Sequence, residues 1–148
     1  MSGGKRTSLN ELLVTLFNSI MATEAAAVIT EEFKDITEND LHLLEAIGIS
    51  DDKKMSEVAK KRDITMGTLT TSISGLEKKG YVVRNRSEKD KRVVFVKLTE
   101  RGKKAYYHHR DFHKKMIKTL VSEFSEEEQS VLMRCLEKLN DFFVNYEG

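Results

Sequence analysis

From Ser8 to about Glu32, apolar residues recur at Leu9, Leu12, Leu13, Leu16, Phe17 and Ile20, a helical period with one wide apolar stripe that predicts a long first helix. Phe33-Lys34-Asp35-Ile36 breaks the period. Thr37, with Asp40 three residues later, can then cap a second helix carrying Leu41, Leu44 and Ile47 and closed by Gly48 and Asp51-Asp52. A short third helix is expected around Met55 to Arg62, followed by a tight turn at Asp63-Ile64-Thr65. Thr65 is a fitting N-cap for a fourth helix, Met66 to Lys79, with Leu69, Ile73 and Leu76 on one face and Gly80 as a left-handed stop. Tyr81 to Arg84 and Arg92 to Leu98 then have the β-branched and aromatic content of two strands, joined as a hairpin by residues 85–91. Thr99 can cap a fifth helix reaching about Glu123. Ser125 with Glu128 forms a capping-box match for a sixth, carrying Val131, Leu132, Cys135, Leu136, Leu139 and Phe142. The fold class that follows is all-α with a small β-hairpin wing.

Composition changes this picture little until charge is taken by segment. The chain has 148 residues, a net charge of +1, one Cys and no Pro. Average usage would supply about seven prolines, so their absence favours uninterrupted helices. No apolar run approaches the roughly 20 residues of a membrane helix, and Met1 to Thr7 lacks the apolar segment of a signal peptide, so that start is expected to be a frayed terminus and the protein cytoplasmic. A lone Cys135 agrees with a reducing compartment. The small net charge conceals segregation: residues 78–118 carry 15 Lys and Arg against 4 acidic side chains, whereas residues 1–60 and 119–148 are each net −5. A basic block in an otherwise acidic chain is the footprint of a phosphate-backbone binder, although most charge runs are solvated faces.

Position within the predicted elements decides between these readings. The third helix, turn and fourth helix make a helix-turn-helix, and the basic hairpin follows at once, giving a winged helix-turn-helix. The outward face of the fourth helix, with Thr65, Gly67, Thr68, Thr70, Thr71, Ser74 and Lys78, is small and polar enough to enter a major groove about 12 Å wide. On the hairpin, Arg84, Arg86, Lys89, Lys91 and Arg92 can straddle phosphates or enter a minor groove. An enzyme is not expected: the chain has no Gly-rich phosphate loop and no nucleophile-elbow pattern. A protein-only interaction module would leave the basic hairpin unexplained.

Leu76-Glu77-Lys78-Lys79-Gly80-Tyr81, then Asp90-Lys91-Arg92 and Val96-Lys97-Leu98-Thr99-Glu100-Arg101-Gly102, resemble the MarR family of dimeric bacterial transcriptional regulators across nearly the whole chain. The resemblance implies a six-helix homodimer bound to a pseudo-palindromic operator in double-stranded DNA. It implies that Asp90 pairs with nearby cations to shape the wing and that Arg92 reaches the minor groove. It also places a dimer interface on Leu9, Leu12, Leu13 and Leu16 of the first helix and Leu136, Leu139, Phe142 and Phe143 of the last. Residues 1–32 and 121–148 become the dimerisation region and residues 33–120 the DNA-binding region of one intertwined domain. Phe33-Lys34-Asp35-Ile36, Gly67-Thr68-Leu69-Thr70-Thr71-Ser72, Arg86-Ser87-Glu88, Arg92-Val93-Val94 and Phe112-His113-Lys114 are similar to the branch that represses fatty-acid synthesis genes in streptococci and their relatives. That branch implies repression of type II fatty-acid synthesis genes, with acyl carrier protein bearing a long acyl chain as co-repressor.

His109 and His113 stand four apart on the fifth helix, a spacing that lets two imidazoles face one metal ion. With Glu24 and His42 they resemble the first metal site of zinc-responsive MarR repressors, while Thr30 and Leu41 stand where that branch's other site wants ligands. A zinc-responsive or other small-molecule-responsive repressor is therefore the alternative. The same four residues can equally form a hydrogen-bonded network between helices, and no cofactor is required for repression; the network is the reading favoured here. Cys135, on the apolar stripe of the last helix, is expected to be buried and inert.

Overall fold

The computed structural model describes residues 7–28, 30 and 32–148. Most of residues 1–7, and Ile29 and Glu31 at the expected end of the first helix, lie outside this set. The chain divides after His109 into two compact units.

The first unit begins with α1 (Leu9–Val28). Ser8 and Glu11 cap its start reciprocally, the Ser8 amide donating to Glu11 Oε2 at 2.8 Å and the Glu11 amide to Ser8 Oγ at 3.2 Å. After a turn over residues 32–35 comes α2 (Glu38–Ile47), with the capping box of Thr37 and Asp40 in place and Gly48, at φ 73°, ending it. Two lysines then form β1 (Lys53–Lys54), a strand with no sequence forecast. The helix-turn-helix follows as α3 (Met55–Arg62) and α4 (Met66–Lys78), joined through Asp63 in the left-handed region. That conformation suits a short Asp that ends a helix.

β2 (Val82–Arg86) and β3 (Val94–Leu98) form the wing stem, each displaced by one or two residues from the expected strands. The sheet order is β1-β3-β2, antiparallel throughout, with Lys53 opposite Val96 on one edge and Arg84 opposite Val96 on the other. The hairpin is therefore part of a three-stranded sheet. Leu43, Leu44 and Ile47 of α2, Val58 of α3, Leu69, Ile73 and Leu76 of α4, and Tyr81, Val82 and Val96 are all buried around this sheet. Burial of an aliphatic side chain of this size contributes about 1.5–3 kcal/mol before entropy is counted.

The fifth helix, α5 (Glu100–Ser122), leaves the sheet at a close backbone crossing. Thr99 caps it: the Gly102 amide donates to Thr99 Oγ1 at 3.1 Å, and Thr99 Oγ1 donates to the Gly80 carbonyl at 2.6 Å. Gly102 packs so near β2 that a Cβ there would stand 2.0 Å from the Tyr81 carbonyl oxygen.

In the second unit, residues 110–148, the end of α5 is followed by α6 (Glu126–Val144), whose Ser125–Glu128 capping box forms. Gln129 closes the turn by donating Nε2 to the Val121 and Phe124 carbonyls, each at 3.1 Å. No residue of α6 is buried. Cys135 is accordingly exposed, contrary to expectation, in a shallow groove with Phe124, Val131 and Leu132. Among the described residues no helix is long and apolar enough to cross a membrane.

A candidate nucleic-acid interface

The reading face begins at the N-terminus of α4. Thr65 accepts from the Thr68 amide at 3.2 Å and donates to Thr68 Oγ1 at 3.0 Å, which fixes the first turn. The buried triad Leu69, Ile73 and Leu76 turns the rest of the helix outward: Gly67, Thr68, Thr70, Thr71 and Lys78 are exposed and Ser74 is half-buried. Thr70 and Thr71 donate their hydroxyl protons back to the Met66 and Gly67 carbonyls at 2.8 and 3.1 Å.

The wing tip is ordered by short-range polar bonds. The Ser87 amide donates to the Val93 carbonyl at 2.9 Å, and the Asp90 amide donates to Ser87 Oγ at 3.3 Å. Asp90 Oδ1 accepts from both the Arg92 amide, 3.0 Å, and its Nε, 3.2 Å. The Arg92 side chain is nonetheless 92% exposed, so Asp90 aims the guanidinium without covering it. Arg86, Lys89 and Lys91 are exposed beside it.

Arg84 is held differently. Its backbone amide and guanidinium both donate to Glu77 at the end of α4, at 3.1 and 3.0 Å. The Arg84 side chain, first by hydrogen bonding, holds the Glu77 carboxyl below the usual carboxylate range against the opposing effect of burial. The pair ties wing to recognition helix.

Between them runs a groove of about 420 Å³, lined by Lys54, Ser56, Met66, Thr70, Arg86 and Arg92 among others. Lys54 and Ser56 were not singled out from the sequence, because only the pairing of β1 with β3 brings them beside the wing.

Behind this face, Asp35 accepts from the Tyr81 hydroxyl at 2.6 Å and pairs with Arg101 at 3.1 Å, while Arg101 lies over the Tyr81 ring, 4.4 Å from its centroid. The Tyr81 hydrogen bond foremost, then Arg101, draws the Asp35 carboxyl below its ordinary value. Burial, followed by the Asp35 charge, pushes the Tyr81 phenol well above its own. Lys79 meets Asp40 at 2.9 Å. These contacts join the start of α2, the end of α4 and the start of α5.

The histidines are divided. One ligand atom from each of Glu24, Glu38 and His42 lies within 4.8 Å of the other two, bringing in Glu38, which the sequence reading had not named. His109 is buried and places Nε2 3.1 Å from Glu45, and its ring lies 6.4 Å from that of His42. His113 is one turn further along α5, in the second unit.

A helix-turn-helix followed by a sheet-anchored basic wing defines a winged-helix DNA-binding protein of the kind seen in MarR-type regulators. Residues 27–109 match the family described as transcriptional regulator SarA/Rot, and the chain belongs to that family. It is similar to Streptococcus pneumoniae FabT, solved in complex with DNA, at 37% identity and a TM-score of 0.87, covering 94% of this chain and 97% of that one. YdgJ of Bacillus subtilis, an HTH-type transcriptional regulator, is 28% identical over 113 residues, 76% of this chain and 69% of the relative. SarZ of Staphylococcus epidermidis is 42% identical over 59 residues, 38% of this chain, which spans 40% of SarZ's length. The protein is a transcriptional regulator and not an enzyme.

Proposed function

We propose that this chain is a homodimeric repressor that binds a pseudo-palindromic operator controlling type II fatty-acid synthesis genes, with acyl carrier protein bearing a long acyl chain as co-repressor. The observation that carries the reading is the likeness to DNA-bound FabT over 94% of the chain. The groove between α4 and the wing, rich in Lys and Arg, supports a role for Thr65, Gly67, Thr68, Thr70, Thr71, Ser74, Lys78, Arg86, Lys89, Lys91 and Arg92 against DNA, with Asp90 and Arg84 holding the wing in shape. The uncovered apolar side chains of α1 and of α6 support dimerisation through both helices. The test is a fluorescence-anisotropy titration on a fatty-acid synthesis operator from the source genome, with and without long-chain acyl carrier protein. Tightening by the acylated carrier is expected; binding indifferent to it overturns the co-repressor.

A second reading, a zinc-responsive repressor, is favoured by the proximity of Glu24, Glu38 and His42. It belongs in a parallel arm with zinc in place of the carrier. Operator affinity that changes with zinc in the native chain and not in His42→Ala supports it, and no response to zinc discards it.

A further inference from the structure

Resting on the reading of acylated carrier protein as co-repressor, we propose that the carrier docks through its acidic surface on a basic face of α5 made by Arg110, Lys114, Lys115 and Lys118. All four side chains are exposed, and all belong to the second unit. Arg110, Lys114 and Lys118 follow one another at intervals of four, which stacks them along one face of the helix, with Lys115 beside them. From the first to the last of them the face runs about 12 Å, two helical turns, a length that suits one helix of a small partner.

No carboxylate of the described chain answers this charge. The cations that shape the winged helix have partners: Lys79 meets Asp40, Arg84 meets Glu77 and Arg101 meets Asp35. Among the described residues, no ion pair reaches Arg110, Lys114, Lys115 or Lys118. Asp111, the one acidic residue between 110 and 118, stands at the spacing that suits a pair with Lys115 and does not form one. Like charges four apart on a helix weaken it, so the row of Arg110, Lys114 and Lys118 works against α5 and gains nothing within the chain. A partner of opposite charge supplies the gain.

Two observations turn this face toward a protein rather than toward DNA. None of its residues lines the groove between α4 and the wing, whose cations come from β1, β2 and the wing tip. Ile117, 49% exposed, stands three residues from Lys114 and seven from Arg110, so an apolar side chain is set among the cations. A phosphate backbone makes no use of it. A protein surface does, since protein interfaces combine apolar contact with complementary charge. Acyl carrier protein, a small acidic protein, is the protein partner that the proposed function supplies.

The experiment titrates the full-length chain, without DNA, into fluorescently labelled palmitoyl-acyl carrier protein and follows anisotropy. The native chain is expected to bind, with an affinity that falls as salt is added. Lys114→Glu with Lys118→Glu is expected to weaken binding roughly tenfold or more. Lys114→Gln with Lys118→Gln is expected to weaken it less, because neutralisation removes attraction whereas reversal adds repulsion. A carrier with one surface carboxylate changed to Lys is expected to recover part of the loss in the Glu variant. Operator affinity without carrier should stay within about twofold of native in both variants, as phosphate contacts are left in place. Carrier affinity equal to native in both variants overturns the docking face and leaves the co-repressor reading standing. A native chain that binds no palmitoyl carrier, with or without operator, overturns both. Variants that lose operator affinity and salt slope in the carrier's absence assign these cations to DNA phosphates and overturn the proposal. Should the Glu variant lose its helical circular dichroism, the Gln variant decides by the same readouts.

Discussion

A methyl group at position 102 has nowhere to go, since its Cβ would press to 2.0 Å from a backbone oxygen of Tyr81 that the sheet holds in place. Backbone cannot yield as a flexible side chain can, so Gly102→Ala is expected to cost about 3 kcal/mol or more, read as a lowered urea midpoint with unchanged slope. Beside it, Asp35 and Tyr81 make stability depend on pH in two windows. The depressed Asp35 pKa means its contribution is whole above the unfolded value near 3.9 and fades as pH falls through the lower folded value. The raised Tyr81 pKa means its contribution is whole below the unfolded value near 10 and is lost as pH climbs through the folded one. Thermal melts of Asp35→Asn should therefore show a shallower acid-side slope, with the Glu77 contribution remaining, and those of Tyr81→Phe should lose the Tyr81 contribution on the alkaline side. Neither partnership was legible in the sequence: Asp35 and Tyr81 are 46 positions apart, and nothing local in either segment announces the other.

At the scale of elements, the helices were legible because their signals are periodic and their caps local. Thr37 with Asp40, Thr65, and Ser125 with Glu128 each sit where the side chain can satisfy an orphan amide, and each does. β1 was illegible because two lysines carry no alternation; it exists because β3 had a free edge to pair. The same gap hid Lys54 and Ser56 from the list of groove residues. Arg84 was read as one more cation of the wing, yet its bond to Glu77 crosses an element boundary and has no spacing rule. The two arginines should therefore separate in experiment. Arg92→Ala is expected to weaken operator binding and lower the salt slope by about one per subunit, because an exposed cation lost from a phosphate site removes its counterion release. A salt titration by anisotropy checks it; native affinity and slope would show that the wing tip does not touch DNA.

Across the whole molecule, the apolar side chains left uncovered are as informative as those buried. Leu9, Phe17 and Phe143 are 70%, 64% and 62% exposed, on helices whose period resembled that of a core. Scattered exposed leucines need no explanation, but continuous stripes along α1 and α6 call for a cover, which the proposed dimer would supply with a second copy of the chain. Phe142→Arg is expected to shift sedimentation from dimer to monomer and to reduce operator affinity at least tenfold, since one copy then engages a single half-site. A dimer that survives this change would move the interface elsewhere. The smallest element bears on how such an assembly is switched. Because Lys53 and Lys54 lace the helix pair to β3, and β3 carries the wing on its other side, helix and wing hang from one sheet and are expected to move together. In the dimer proposed above, each winged-helix unit is then like one jaw of a calliper, and a signal is expected to change the fit to DNA by resetting the gap between jaws.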